Sequence, residues 1–239
     1  MLLDDWTQYT EDARTVPSRS GEWLLNPLRW ALLNAALTAP HNSRVSARGP
    51  ALRLAIAEAG LEGPLPLAPH HLSDEFDCGA ELLNQLLRKS VAQAVAGEET
   101  RLTTRVFTSG RHIAAFYSTR PIIAICEARP DQRVPLLFVA RLGIDRRWSD
   151  ARITDNFFWE MLRDVWSVPP EARPAALVGL AASPAARRVL RLIGARMLGD
   201  ALDPRAVMFP AIDIEKSIEA GERGLGIRPA APDGGVPPL

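Results

Sequence analysis

Cysteine is nearly absent: Cys78 and Cys126 are the only two in 239 residues. Two thiols exclude a disulfide framework and a four-cysteine zinc site, and both read as small buried hydrophobes. The four histidines, His41, His70, His71 and His112, show no metal-ligand spacing. Tyrosine is limited to Tyr9 and Tyr117, and lysine to Lys89 and Lys216 among 28 basic residues. A GC-rich coding sequence accounts for the arginine bias. Charge of one sign is missing too, since 28 basic residues face 28 acidic ones. Nothing in that balance points to a polyanion binder, and a local basic patch stays open. No long apolar run occurs: Leu24 to Leu37 is broken by Asn26, Pro27, Arg29 and Asn34, far short of a membrane span. Met1-Leu2-Leu3 runs into Asp4 and Asp5, which is no secretory leader. The expectation is a soluble protein of the reducing cytoplasm.

What is present suffices for a core. The chain is 47% hydrophobic and 23% charged, a globular composition. Its length fits one large domain, or one domain with an extension. Residues 1–62 read as an N-terminal helical extension holding Trp6, Trp23 and Trp30. Asn26-Pro27 is a helix start, with Leu28, Ala31, Leu32 and Ala35 at helical spacing until Pro40. A second helix is expected from Pro50, through Leu52, Ile56 and Ala59, to Gly60. Gly63-Pro64-Leu65-Pro66 is a joint, and residues 63–221 form the main domain.

In that domain Ser73-Asp74-Glu75 opens a helical stretch with Leu82, Leu83, Leu86, Leu87, Val91 and Val95 on one face, stopped by Gly97. Leu102–Phe107 and His112–Tyr117 make a hairpin about Ser109-Gly110. Pro121–Cys126 prolongs its second strand, residues 128–132 form a loop, and Leu136–Ile144 is a strand buried on both faces. A helix over Ile153–Trp166, a strand over Ala175–Ala181, a helix from Ser183-Pro184 to Gly194 and a strand over Ala206–Ile212 follow. Asp213 caps a terminal helix, and residues 222–239, rich in Gly and Pro, form a flexible tail. This order predicts an α/β (α+β) fold, a mixed sheet flanked by helices.

Three fragments in order carry a family resemblance. Phe76-Asp77-Cys78-Gly79 with Leu83 and Leu87, Gly110–Ser118, and Leu136–Trp148 resemble the F-D-C-G opening, the G-R-V-V-G-Y-Y-S strand and the L-L-A-R-L-A-V-D-R-R-W strand of the GNAT-fold acetyltransferase toxins of toxin–antitoxin systems. The resemblance spans roughly residues 65–212. It implies an acetyl-CoA site where the central strand meets a helix, at Leu142, Ile144, Arg147, Arg152 and Thr154. In the family, backbone amides of a Q/R-x-x-G-x-G/A loop face the pyrophosphate, and a late tyrosine protonates the departing thiolate.

The sequence departs from the family at the chemistry. Ser149 replaces the Gln or Arg, Arg152 and Thr154 replace the glycines, Asp150 adds a carboxylate, and Leu190 stands for the tyrosine. Losing two hydrogen bonds to a charged group costs about 3–6 kcal/mol, or roughly two to four decades of affinity. Arg152 offers one rescue, since arginine suits phosphate. Two readings result. One is a degenerate, non-catalytic GNAT-fold protein that binds a protein partner or self-assembles through its N-terminal helices, with no cofactor. The other is an active acetyl-CoA-dependent N-acetyltransferase of aminoacyl-tRNA, against which the neutral charge also stands.

The remaining candidates have plain structural readings. Tyr117 reads as core or as a substrate contact, and His112 as a surface residue or a general base. His70 and His71 read as loop residues. Arg141, Arg146 and Arg147 form either a basic patch or solvated strand-end residues. Arg187, Arg188 and Arg191 make a solvated helix face.

Overall fold

A computed structural model describes residues 21–40, 56, 58–98, 100–149, 151–181, 190–191, 195–198 and 206–224. Its strands are β1 (Glu22–Leu25), β2 (Glu62–Pro66), β3 (Thr103–Ser109), β4 (His112–Cys126), β5 (Arg129–Ile144), β6 (Ala176–Leu180), β7 (Arg196–Met197) and β8 (Ala206–Pro210). Among the described residues four helices flank them: α1 (Pro27–Thr38), α2 (Glu81–Ala96), α3 (Ala151–Trp166) and α4 (Ala211–Gly224). One sheet runs β2-β3-β4-β5-β6-β8-β7, with β1 added beside β4. It is antiparallel except for β1/β4 and β5/β6. The expected mixed sheet flanked by helices is the observed architecture. No helix among the described residues is long and apolar enough to cross a membrane.

Alternation along the strands assigns the helices to two faces. Phe107 on β3 and Phe209 on β8 meet Phe157 and Phe158 of α3, so α3 covers one face. The other face carries Val106, Ile113 and Phe116, which pack with Phe76 and with Leu87 of α2. That same face continues down β4 through Ile122, Ala124 and Cys126, where α1 and the inward side of β1 bury Trp23, Leu25, Trp30 and Leu33. Gly143 is required here. A Cβ at residue 143 would stand 2.7 Å from the Phe116 ring and 3.2 Å from that of Phe76, inside contact distance.

Several expectations need correction. Residues 22–25 are a strand rather than part of a helical lead, because Trp23 and Leu25 alternate into the core beside β4. The helix anticipated from Ser73 begins at Glu81, because the amides of Asp77 and Cys78 are taken by side chains instead of by helix carbonyls. The loop over 128–132 is strand, with the turn at Glu127-Ala128. The last strand ends at Pro210, and Asp213 lies inside the first turn of α4. Three readings agree. Asn26 caps α1 by accepting from the Arg29 amide at 2.9 Å. Gly97 closes α2 in the left-handed conformation at φ 66°, and α3 falls where the spacing put it. Most of the helix from Pro50, the helix from Ser183, Trp6 and the tail after Gly224 lie outside the described residues.

Candidate functional site

Among the described residues, β5 and β6 are the parallel neighbours of which one runs on past the other. Their register holds for Leu137↔Leu177, Phe138↔Val178 and Val139↔Gly179. After that β5 runs on to Ile144 while β6 ends at Leu180. A bulge marks the same spot: β4 pairs Ser118 with Arg141 and Thr119 with Val139, which leaves Ala140 as the extra residue. Bulges bend a strand and recur beside active sites. The carboxyl ends of parallel strands joined by a crossover helix are also where α/β folds place ligands. Here α3 is that crossover. At this split Leu142 and Ile144 lie on the α3 side of β5, and Leu180 and Ala181 lie at the end of β6.

Beyond β5 the chain makes a tight turn over Arg146–Trp148 before α3. The turn is clasped to residues 75–79. Asp145, only 1% exposed, accepts from the Arg147 amide at 2.9 Å, from its guanidinium at 2.9 Å twice, and from the Asp77 amide at 3.1 Å. Burial pushes the Asp145 carboxyl up, but these donors outweigh it and hold the pKa below the usual range. Arg147 also reaches the Glu75 carboxylate at 3.4 Å and its carbonyl at 3.3 Å. Arg146 pairs with Asp77 at 3.3 Å and donates its amide to the Asp77 carbonyl at 2.8 Å. Asp77 in turn accepts from the Gly79 amide at 2.8 Å and from Asn84 at 3.2 Å, bonds that depress its pKa.

These contacts decide several candidates. Arg147 is committed to Asp145 and Glu75, and Arg146 to Asp77, so neither joins Arg141 in one patch. His112 Nδ1 lies 3.4 Å from the Glu75 carboxylate on the rim of the same clasp. His71 is buried, accepts from the Ala68 amide at 2.9 Å and has its pKa lowered by burial and by His70. Ser149 is exposed, with its hydroxyl on the Arg146 carbonyl at 3.0 Å, and Thr154 is half-buried. Leu190 is buried at 5% exposure, whereas Arg191 is exposed. Cys126 is buried and Cys78 half-buried, its thiol on Asn84 Oδ1 at 3.2 Å and its pKa raised by burial. Asp150, the Arg152 side chain, Arg187 and Arg188 lie outside the described residues. No group of metal-ligating side chains occurs among the described residues.

Tyr117 belongs to the core. It is 2% exposed, and its hydroxyl donates to Asp164 of α3, which also receives Arg105 Nε at 3.0 Å. Burial, and then the bond to Asp164, push the phenol strongly upward. Sequence reasoning missed Asp164 because 47 residues separate it from Tyr117. It missed the clasp for the same reason, although the two motifs that form it were both visible.

No family model matches the chain, and no curated protein matches it by sequence. Solved structures match by fold. The AtaTR complex bound with AcCoA aligns at TM-score 0.55 and 21% identity, over 66% of this chain and 97% of that one. The KacTA–DNA complex aligns at TM-score 0.55 and 19% identity, over 66% and 97%. AtaT complexed with acetyl-methionyl-tRNAfMet aligns at TM-score 0.53 and 20% identity, over 65% and 96%. AtaT and KacT are GNAT-fold acetyltransferase toxins of toxin–antitoxin systems, and the likeness shows that this chain has their fold.

Proposed function

We propose that this chain is a GNAT-scaffold protein that works through a protein partner and no longer acetylates, the acetyl-CoA site having lost its chemistry. The observation that carries this reading is that no described residue stands in for the family's proton-donating tyrosine. Leu190, where the resemblance places the family tyrosine, is buried at 5% exposure. The one phenol among the described residues, Tyr117, is buried and spent on Asp164. The pyrophosphate loop supports the same conclusion: Arg147 is held by two carboxylates and Thr154 occupies a family glycine position. A protein partner fits the exposed apolar residues of the N-terminal elements, Leu24 and Leu28 at 48% and 64% exposure. Among the structural neighbours, AtaT is bound to the C-terminus of the antitoxin AtaR.

The second reading, an active N-acetyltransferase of aminoacyl-tRNA, is favoured by one feature. The β5/β6 split and the Ala140 bulge are both present, which supports room for a pantetheine chain between the two strands.

Calorimetric titration with acetyl-CoA, with free CoA alongside, separates the two. The expected result is no saturable binding at millimolar ligand, and a gain of about two decades in affinity for the triple variant Ser149→Gln, Arg152→Gly, Thr154→Gly. Micromolar binding by the unaltered chain overturns the degenerate reading and restores the enzyme.

A further inference from the structure

Arg141 stands apart from every other arginine at the site. It lies on β5 opposite Ser118, on the face away from α3, immediately after the bulge at Ala140. Its guanidinium is largely withdrawn from water, enough to lower its pKa through desolvation. Yet its one hydrogen bond among the described residues is to the Ser90 hydroxyl of α2 at 3.1 Å, and no carboxylate pairs with it. A guanidinium carries five N–H donors in a planar fork. Four of them face no partner in the described structure. A half-buried charge in that state is costly unless something completes it.

The surroundings suit an oxyanion. Ser90 is fixed by donating its own hydroxyl to the Leu86 carbonyl at 2.9 Å, so it orients Arg141 as an acceptor. Ser118, fully buried, bonds the Thr104 hydroxyl at 2.9 Å and floors the same face. One row along, opposite Phe138, Arg120 lies over the Phe138 ring at 5.9 Å. Burial and repulsion from Arg101 lower the pKa of Arg120. This region lies between the part of the face covered by α1 and the part covered by α2. Unlike Arg105, Arg147 and Arg196, which are all matched to carboxylates, Arg141 is left with its fork open.

We propose that Arg141 anchors a binding site for the oxyanion of a small ligand, a carboxylate or a phosphate, on the α2 face of the sheet beside the bulge. Two N–H groups of the fork donate side-on to the anion, and Ser90 holds the guanidinium plane. The site is separate from the proposed acetyl-CoA slot, since Leu142 and Ile144 face α3 while Arg141 faces α2, and it stands whichever way the acetyltransferase question falls.

Thermal unfolding of the full chain in titrations of inorganic phosphate and of acetate tests this, with Arg141→Met and Arg141→Lys alongside. The expected wild-type result is a saturable rise in Tm with one of the two anions, and the anion that gives it identifies the ligand group. Arg141→Lys keeps the charge without the fork and binds about tenfold more weakly. Arg141→Met removes an unmatched charge, so it unfolds at a higher temperature than wild type and no longer responds to the anion. A merely structural Arg141 predicts the opposite, a lower Tm for Arg141→Met through loss of the Ser90 bond. That result overturns the proposal. So does an unchanged anion response in Arg141→Met, or no response of wild type to either anion at about 50 mM.

Discussion

Asp164 collects two donors from neighbouring strands, the Arg105 guanidinium on β3 and the Tyr117 hydroxyl on β4, and so ties α3 to the sheet through one carboxylate. Removing the hydroxyl in Tyr117→Phe deletes a hydrogen bond to a charged group and is expected to cost about 1.5–3 kcal/mol in urea denaturation at neutral pH. The pH dependence has a definite sign. The phenol's pKa is raised in the folded state by burial and by Asp164, whereas the unfolded chain ionises near 10. Its contribution is complete below about pH 10 and is lost as pH rises further, with a slope approaching about 1.4 kcal/mol per pH unit. Tyr117→Phe should therefore flatten the decline of stability above pH 10. An equal decline in both proteins would show that Tyr117 does not control it.

Elements are held by contacts that no local sequence pattern announces. Helix α1 has no cation in its last turn, and its C-terminal carbonyls are satisfied from far away. Arg196 on β7 donates to the carbonyls of Ala36 at 3.0 Å, Ala39 at 3.1 Å and Pro40 at 2.9 Å. It also pairs with Asp213 of α4 at 2.7 Å, with side-chain exposures of 12% and 0%. One guanidinium thus caps a helix end, where a positive charge is favourable, and neutralises a buried carboxylate. Arg196→Ala is expected to destabilise the protein by about 3–5 kcal/mol, the cost of breaking a buried pair. Limited proteolysis should then cut near the end of α1 first, and an unchanged digestion pattern would count against this role. Elements with strong periodicity were legible in the sequence. Helix α3 and strands β3 to β6 announce themselves through continuous or alternating apolar runs. Strand β1 was not legible, because Glu22–Leu25 offers only one alternation in four residues and its partner lies about 100 residues downstream.

At the scale of the molecule, the N-terminal segment is continuous with the main core. Trp23, Leu25, Trp30 and Leu33, each at most 9% exposed, share a buried cluster with Phe138, Val178 and Met208 of the sheet. Deleting residues 1–40 is expected to uncover this surface and cause aggregation, as read by size-exclusion chromatography. A monodisperse, folded deletion variant would show that the segment is dispensable to the core. The candidate site divides in the same way. Its departures from the family, Ser149, Arg152, Thr154 and Leu190, could be read from the sequence because they are local substitutions in an ordered motif. The pairing of Asp77 with Asp145 across 68 residues, the lone position of Arg141 and the role of Asp164 could not. Each depends on which strand faces which helix, and a charge pattern along the chain does not encode that.

The parallel pairing of β1 with β4 also sets a clock for synthesis. Glu22–Leu25 pairs with Ile123–Cys126, so the strand leaves the ribosome about 100 residues before its partner exists. At roughly 5–20 residues per second that is a wait of about 5–20 s, with Trp23 and Leu25 unburied throughout. The Arg196 clamp on α1 comes later still. Non-local contacts of this kind slow folding, and a nascent chain that displays two large apolar side chains for seconds is a natural client for a ribosome-associated chaperone. Strand β1, although made early, is among the last to be secured.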